Sequence, residues 1–245
     1  MDDFRTFFSA TWNVFGISFK PKLFSRRAIF ITVLAILPVL AALLWWIGYG
    51  VFGIDDMPSG WSTFSFVMVY IVIQFLVPLV GLFYGTSLIA DEVDAKTLTY
   101  LTTRPIPKAT IPFGKYLSYA LASLVLLIPP TVIAYAALTL GDGTRHFVKH
   151  LDDLGFDLLL IFLGLLAYGA VFNLIGIILR RSLVVGFLYA ILWESLVSMV
   201  PYLTKLTVMH YLQSLSPHIS ETMGLITLMG QTATATNSII VLVCV

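Results

Sequence analysis

Residues Ala28–Val51 read AIFITVLAILPVLAALLWWIGYGV, an apolar run without a single charge. A hydrocarbon core about 30 Å thick needs roughly 20 such residues per helical crossing, so this run can span a bilayer. Comparable runs follow at Ser62–Ala90, Thr110–Leu140, Leu154–Leu179 and Ser182–Val200. The terminal stretch 236–245 is apolar but too short to cross. It reads as the start of a sixth span cut short, because backbone groups ending at mid-bilayer would lack partners. The first run is too long for the apolar core of a signal peptide, about 7–15 residues, and it follows a 27-residue lead.

Composition agrees with that reading. The 245 residues are 59% hydrophobic and 11% charged, with mean hydropathy +0.95, far from the roughly 45–50% and 25% of soluble chains. The net charge of +1 leaves no basic excess for a nucleic-acid partner. A single cysteine, Cys244, excludes an intrachain disulfide and a cysteine metal cluster. The expected fold is an all-α polytopic membrane protein of six transmembrane helices, one transmembrane domain over 28–245 with an amphipathic helix at 1–27 before it.

Positive charge sets the expected orientation, since cytoplasmic connections are enriched in Lys and Arg. The lead, the connection after the second span and the pair Arg180-Arg181 together hold eleven, whereas the opposite connections hold three (Arg145, Lys149 and Lys205). The N-terminus is therefore expected in the cytoplasm, and the chain in the inner (cytoplasmic) membrane of the cell. In the lead, Phe4, Phe7, Phe8, Trp12, Phe15 and Phe19 recur at helical spacing, followed by Lys20, Lys22, Arg26 and Arg27. Aromatics on one face with basic residues behind them suit a helix lying on anionic lipid.

Catalytic motifs are missing. The nearest approach to a phosphate-binding loop, Gly114-Lys115, has Ala109 in place of the first glycine and Tyr116 in place of Ser/Thr. His146, His150, His210 and His218 all fall in connections on one side, which offers neither a metalloprotease pair nor a nucleophile at membrane depth. His146 and His150 stand at i, i+4 near Asp142, Asp152 and Asp153, but a solvated outer loop is the plainer reading, and no catalytic, cofactor or metal residue is assigned to this chain.

The connection after the second span reads Asp91–Lys115, DEVDAKTLTYLTTRPIPKATIPFGK. Its acids stand at the start of a predicted helical turn, where carboxylates complement the helix dipole, and Arg104-Pro105 with Pro107 ends it. This segment resembles the signature of type-2 ABC exporter permeases, E-R-E-x-G-T-L-x-x-L-L-x-x-P-[VI]-x-[RK]-x-x-I-x-x-G-K. Glu92, Asp94, Thr97, Leu98, Leu101, Pro105, Ile106, Lys108, Ile111, Gly114 and Lys115 match without a gap, while Val93 stands for the usual arginine and Lys96 for the usual glycine.

The resemblance implies a permease subunit that pairs with a second copy or a sister permease. Cytoplasmic ABC ATPase subunits, which hold the ATP and Mg, would dock on the loop 91–109 and the N-terminal helix. Asp91, Glu92, Asp94, Thr97, Leu98, Leu101 and Pro105 become the coupling residues. An extracytoplasmic accessory protein is a further partner of such permeases. The 29-residue second run supports this independently, since at 1.5 Å per residue it is about 43 Å long and must tilt or project.

Within the spans, Glu194 stands out as an acid at depth, with an insertion cost of about 2.5–3.5 kcal/mol. It is a candidate for the pathway or the subunit interface. Gln74 and Asn173 read as interhelical hydrogen-bonding residues, Gly81-Leu-Phe-Tyr-Gly85 as a close-approach motif, and Pro38, Pro78 and Pro129-Pro130 as kinks. The outer segment 201–235 is too apolar for a free loop and too interrupted for a span. Short helices dipping into the outer leaflet fit it, with Tyr202, Tyr211 and Met223 as gate candidates on the resemblance. Two rivals to export are an ion-coupled carrier, which needs ionisable groups at depth, and a permease that transmits force to an extracytoplasmic partner without passing substrate.

Overall fold

The computed structural model of the chain describes residues 2–50, 52, 58–88, 110–179, 182–190, 207–218 and 242. Four helices in it are long and apolar enough to cross a membrane: Arg26–Gly50, Gly60–Gly85, Thr110–Gly141 and Leu151–Ile178. They match the first four predicted spans, and no strand occurs among the described residues. The chain is an all-α polytopic membrane protein. The fifth run is helical over Ser182–Leu188; its remainder from 191 lies outside the described residues, as does the sixth run apart from Leu242.

Proline acts differently in each span. In the first, helix Arg26–Ala35 ends at the cap Ile36 and a second helix, Leu37–Gly50, begins beside Pro38. In the second, Val67–Leu76 winds as a π-helix and returns to α-helix at Val77–Gly85, with Pro78 in the first turn, where its missing N–H is least costly. Pro129-Pro130 lie inside the third span, and Thr110–Gly141 stays helical across them. Membrane helices keep such prolines because neighbouring helices hold them in place.

Glycines set the closest helix contacts. A Cβ on Gly81 would stand 2.8 Å from Tyr168 Cβ, and one on Gly85 would stand 2.9 Å from Phe172 Cβ. The Gly81/Gly85 motif is therefore where the second and fourth spans meet, as its spacing predicts. Tyr168 and Phe172 form this seam, and with Tyr84, Tyr119, Phe64 and Tyr135 they are the largest fully buried rings of the bundle. The expected amide bonding is not found: Gln74 is exposed, and Asn173 Oδ1 is buried with no partner among the described residues. Tyrosine hydroxyls cross-link the spans instead, Tyr119 donating to Leu165 O at 2.6 Å and Tyr116 to Leu166 O.

The N-terminal helix runs Asp2–Leu23 and packs along the start of the third span. Phe8 and Trp12 stay exposed, while Trp12, Phe15 and Phe19 stack in a ladder with centroids 5.2 and 5.4 Å apart. This helix is thus a fixed part of the bundle with one aromatic edge left open, rather than an anchor on lipid alone.

Candidate functional site

The bundle has a basic end, where the N-terminal helix sits, and an aromatic end, where the first and second spans connect and the third and fourth connect. At the basic end the chain direction brings together Lys22, the close of the second span and the start of the third. Gly114 is the contact point: a Cβ there would lie 2.9 Å from Thr11 O and from Val14 Cβ of the N-terminal helix. Phe7 meets Phe113 edge-on beside it, centroids 6.5 Å apart.

Lysine head groups complete that contact. Lys22 Nζ donates to Lys115 O at 2.8 Å and to Ser118 Oγ at 2.9 Å, and Lys22 O accepts from the Tyr84 hydroxyl at 2.9 Å and from Ser25 Oγ at 3.0 Å. Ser25 also caps the first span by accepting from Ala28 N. The buried Lys115 Nζ donates to Leu88 O at 3.3 Å. Leu88 and Thr110 are the described residues on either side of the connection 89–109. The Lys115 bond therefore brings the two stems of that connection together, directly under the N-terminal helix.

The coupling residues Asp91, Glu92, Asp94, Thr97, Leu98, Leu101 and Pro105 lie outside the described residues, as do Glu194, Tyr202 and Met223. Among the motif residues, Ile111, Gly114 and Lys115 are described, and the last two serve the junction just set out. Tyr211 is half-buried in the short helix Val208–Leu215 and packs against the core. Leu212 of the same helix reaches 3.1 Å from where a Gly164 Cβ would stand, and Val77 closes on that point from the second span. Gly164 is about 20 Å along the fourth span from Leu151. The segment 207–218 thus dips deep between the second and fourth spans.

The aromatic end is a net of acids, imidazoles and indoles. The Asp142 carboxylate accepts from Gly60 N and from Trp61 N, both at 2.9 Å, which satisfies two donors that a helix N-terminus leaves open. Trp45 Nε1 donates to Pro58 O at 2.9 Å and Trp46 Nε1 to Ala137 O at 2.8 Å. The Trp61 ring stacks on His150 at 3.7 Å, and His150 Nδ1 bonds Asp153 Oδ2 at 2.9 Å. A cavity of about 550 Å³ opens beside them, lined by Trp45, Tyr49, Trp61, Asp142 and Lys149 among others. His146 and His150 face each other with ring centroids 6.4 Å apart, and no cluster of three metal-ligating side chains occurs among the described residues.

Two residues here correct the sequence reading. Asp157 is an acid within the fourth span and is fully buried, so Glu194 is not the sole acid at depth. His218, expected in an outer connection, is buried inside the bundle, with Nε2 2.9 Å from Asp157 Oδ2 and Nδ1 2.9 Å from Ser65 Oγ. Asp157 was visible in the sequence as a charge in the run Leu154–Leu179, a position that calls for a partner. Nothing in the sequence pointed to His218 or Ser65 as that partner.

Comparison with known proteins gives one family. The model described as ABC-2 family transporter protein matches residues 22–201, from the end of the N-terminal helix through the fifth run. No curated protein matches the chain.

Proposed function

The chain belongs to the ABC-2 transporter family and is a membrane permease of that family, and on that premise we propose that it works as a dimer driven by separate cytoplasmic ATPase subunits, moving a substrate out of the cytoplasm. The ATPase partners hold the ATP and Mg, and this chain supplies the membrane path. The basic end faces the cytoplasm of a cell whose inner membrane carries the protein, consistent with its share of Lys and Arg. One transmembrane domain, 28–245, does the work with the helix of 1–27 attached.

The observation that carries this reading is the junction of Lys22, Lys115, Leu88 and Gly114. A push on the connection 89–109 or on the N-terminal helix meets the second and third spans at one bonded point. Load applied there tilts those spans as rigid bodies, the kind of movement that switches packed arrangements. Asp91, Glu92, Asp94, Thr97, Leu98, Leu101 and Pro105 form the docking element, Glu194 lines the pathway or the dimer interface, and Tyr202, Tyr211 and Met223 belong to the outer gate.

Affinity purification of the tagged chain from its native membranes in mild detergent, followed by mass spectrometry, tests the proposal. A stoichiometric P-loop ATPase is expected. Its reproducible absence while the permease dimer persists would overturn the coupling assignment and favour an ion-coupled carrier, a reading to which the buried Asp157 and His218 pair lends its own observation. Glu92→Arg reverses a charge in the docking element, and ATPase recovery should drop several-fold while membrane insertion stays intact.

A further inference from the structure

Ser65, His218 and Asp157 form a hydrogen-bonded chain between the second span, the segment 207–218 and the fourth span, with all three residues no more than 1% exposed. Ser65 Oγ donates to Trp61 O at 3.0 Å. A hydroxyl has one proton, and with that proton assigned to Trp61 O, Ser65 Oγ accepts from His218 and Nδ1 carries a hydrogen; the ring tautomer follows from this assignment. The same three residue types make nucleophilic triads, but there the serine proton points at the ring; here it points at a backbone carbonyl, and Ser65 acts as an acceptor that fixes the tautomer.

That leaves His218 Nε2 facing Asp157 Oδ2 at 2.9 Å. A bare nitrogen and a carboxylate would set lone pair against lone pair, so one proton must lie between them, as imidazolium with carboxylate or as imidazole with carboxylic acid. Both forms are neutral as a pair, which suits complete burial. Asp157 Oδ1 has no partner among the described residues, so a carboxylate left after losing that proton would be buried with nothing to hold it. A second proton would leave a buried net positive charge.

Neighbouring groups are engaged elsewhere. From the fourth span Asp153 bonds His150, Asp142 takes the amides of Gly60 and Trp61, and from the third span the Tyr135 hydroxyl donates to Phe147 O. The second span offers the uncharged rings of Trp61 and Phe64, with centroids 5.0 and 5.7 Å from the imidazole. Within the 207–218 segment Ser216 Oγ accepts from His218 N, and His210 lies against Tyr211.

We propose that Ser65, His218 and Asp157 are a proton-binding site that fastens the segment 207–218 between the second and fourth spans, so that the segment docks only while one proton is held between His218 and Asp157. The same segment carries Leu212 into the seam at Gly164 and Val77, so release of the proton frees the plug of that seam. By linkage the docked segment holds the proton more tightly than the released one, so docking is full at a pH where the released groups also keep that proton and weakens as pH rises beyond it, until the docked pair loses the proton too. This holds whether the permease exports a substrate or transmits force.

Hydrogen exchange of the full chain in lipid nanodiscs, read by mass spectrometry on peptides covering 207–218 from pH 5 to 10 and corrected for the intrinsic pH dependence of exchange, tests it. Protection should be steady on the acid side of about pH 6.5, the ordinary value of a released histidine, and then fall through neutrality and on the alkaline side by up to about tenfold per pH unit, the slope of a one-proton release. Asp157→Asn places an amide N–H against Nε2 with no proton to lose, and its profile should be flat across that limb. A wild-type profile without the alkaline limb, or an Asp157→Asn profile that keeps it, overturns the proposal. Ser65→Ala removes the acceptor that fixes the tautomer and should lower neutral protection several-fold with a shifted limb. A loss equal at every pH would mean packing alone and would also overturn it.

Discussion

The two ends of the bundle are fastened by opposite means. At the basic end, lysine head groups donate to carbonyl and hydroxyl oxygens, and a glycine lets one helix lie on another. At the aromatic end, three aspartates and two histidines hold amides, imidazoles and one another. The first junction is built from donors reaching carbonyl and hydroxyl oxygens and from a close backbone contact, and it responds to shape and load. The second is made of groups whose bonding changes with their protons. On the two proposals above, one end transmits and the other closes conditionally.

The comparison breaks most severely at Asp142. Its carboxylate is the partner of two backbone donors from another helix, and Asp142→Ala takes that shared acceptor away from Gly60 N and Trp61 N beside the connection they anchor. Each lost partner in a part-buried setting costs about 1–3 kcal/mol, so the variant should lose several kcal/mol, read as a large fall in melting temperature in detergent. Asp142→Asn keeps acceptor capacity at one oxygen and should recover about half of the loss. ATPase recovery from the Asp142→Ala variant should stay normal in whatever fraction remains folded, because the basic end is untouched.

Gly114→Val tests the opposite end. The added Cβ would fall 2.9 Å from Thr11 O and from Val14 Cβ, and one of those contacts is backbone. Overpacking of this kind costs about 1–3 kcal/mol, and here the N-terminal helix can relieve it by lifting away. The expected result is a modest fall in melting temperature with a disproportionate loss of ATPase co-purification and faster hydrogen exchange over residues 7–23. Exchange in 207–218 should not change. Equal disturbance at both ends would mean that the ends are not separable.

How much of this was legible in the sequence follows from the same contrast. Spans are long apolar runs, and length against bilayer thickness fixes them without tertiary knowledge; four were placed within three residues at each end, except the close of the second span. Gly81 and Gly85 carried their meaning in their spacing, since the motif needs only one helix to be recognised. The aromatic end did not. His218 lies 61 residues from Asp157 and 153 from Ser65, and no local pattern encodes a bond made across three elements.

The smallest expected effect sharpens the comparison at the aromatic rim. Trp46 Nε1 donates to Ala137 O at 2.8 Å, but the ring is 45% exposed, so water or lipid headgroups can replace much of that bond. Trp46→Phe keeps an aromatic surface and removes only the N–H. The cost should sit at the low end of a single hydrogen bond, about 0.5 kcal/mol, a shift of melting temperature near the limit of measurement. Trp45→Phe removes the equivalent bond to Pro58 O from a ring that is 6% exposed, and it leaves Pro58 O without that donor beside the cavity. Its cost should exceed that of Trp46→Phe at least twofold. A reversed order would mean that the exposed indole, and not the buried one, ties the first span to its neighbours.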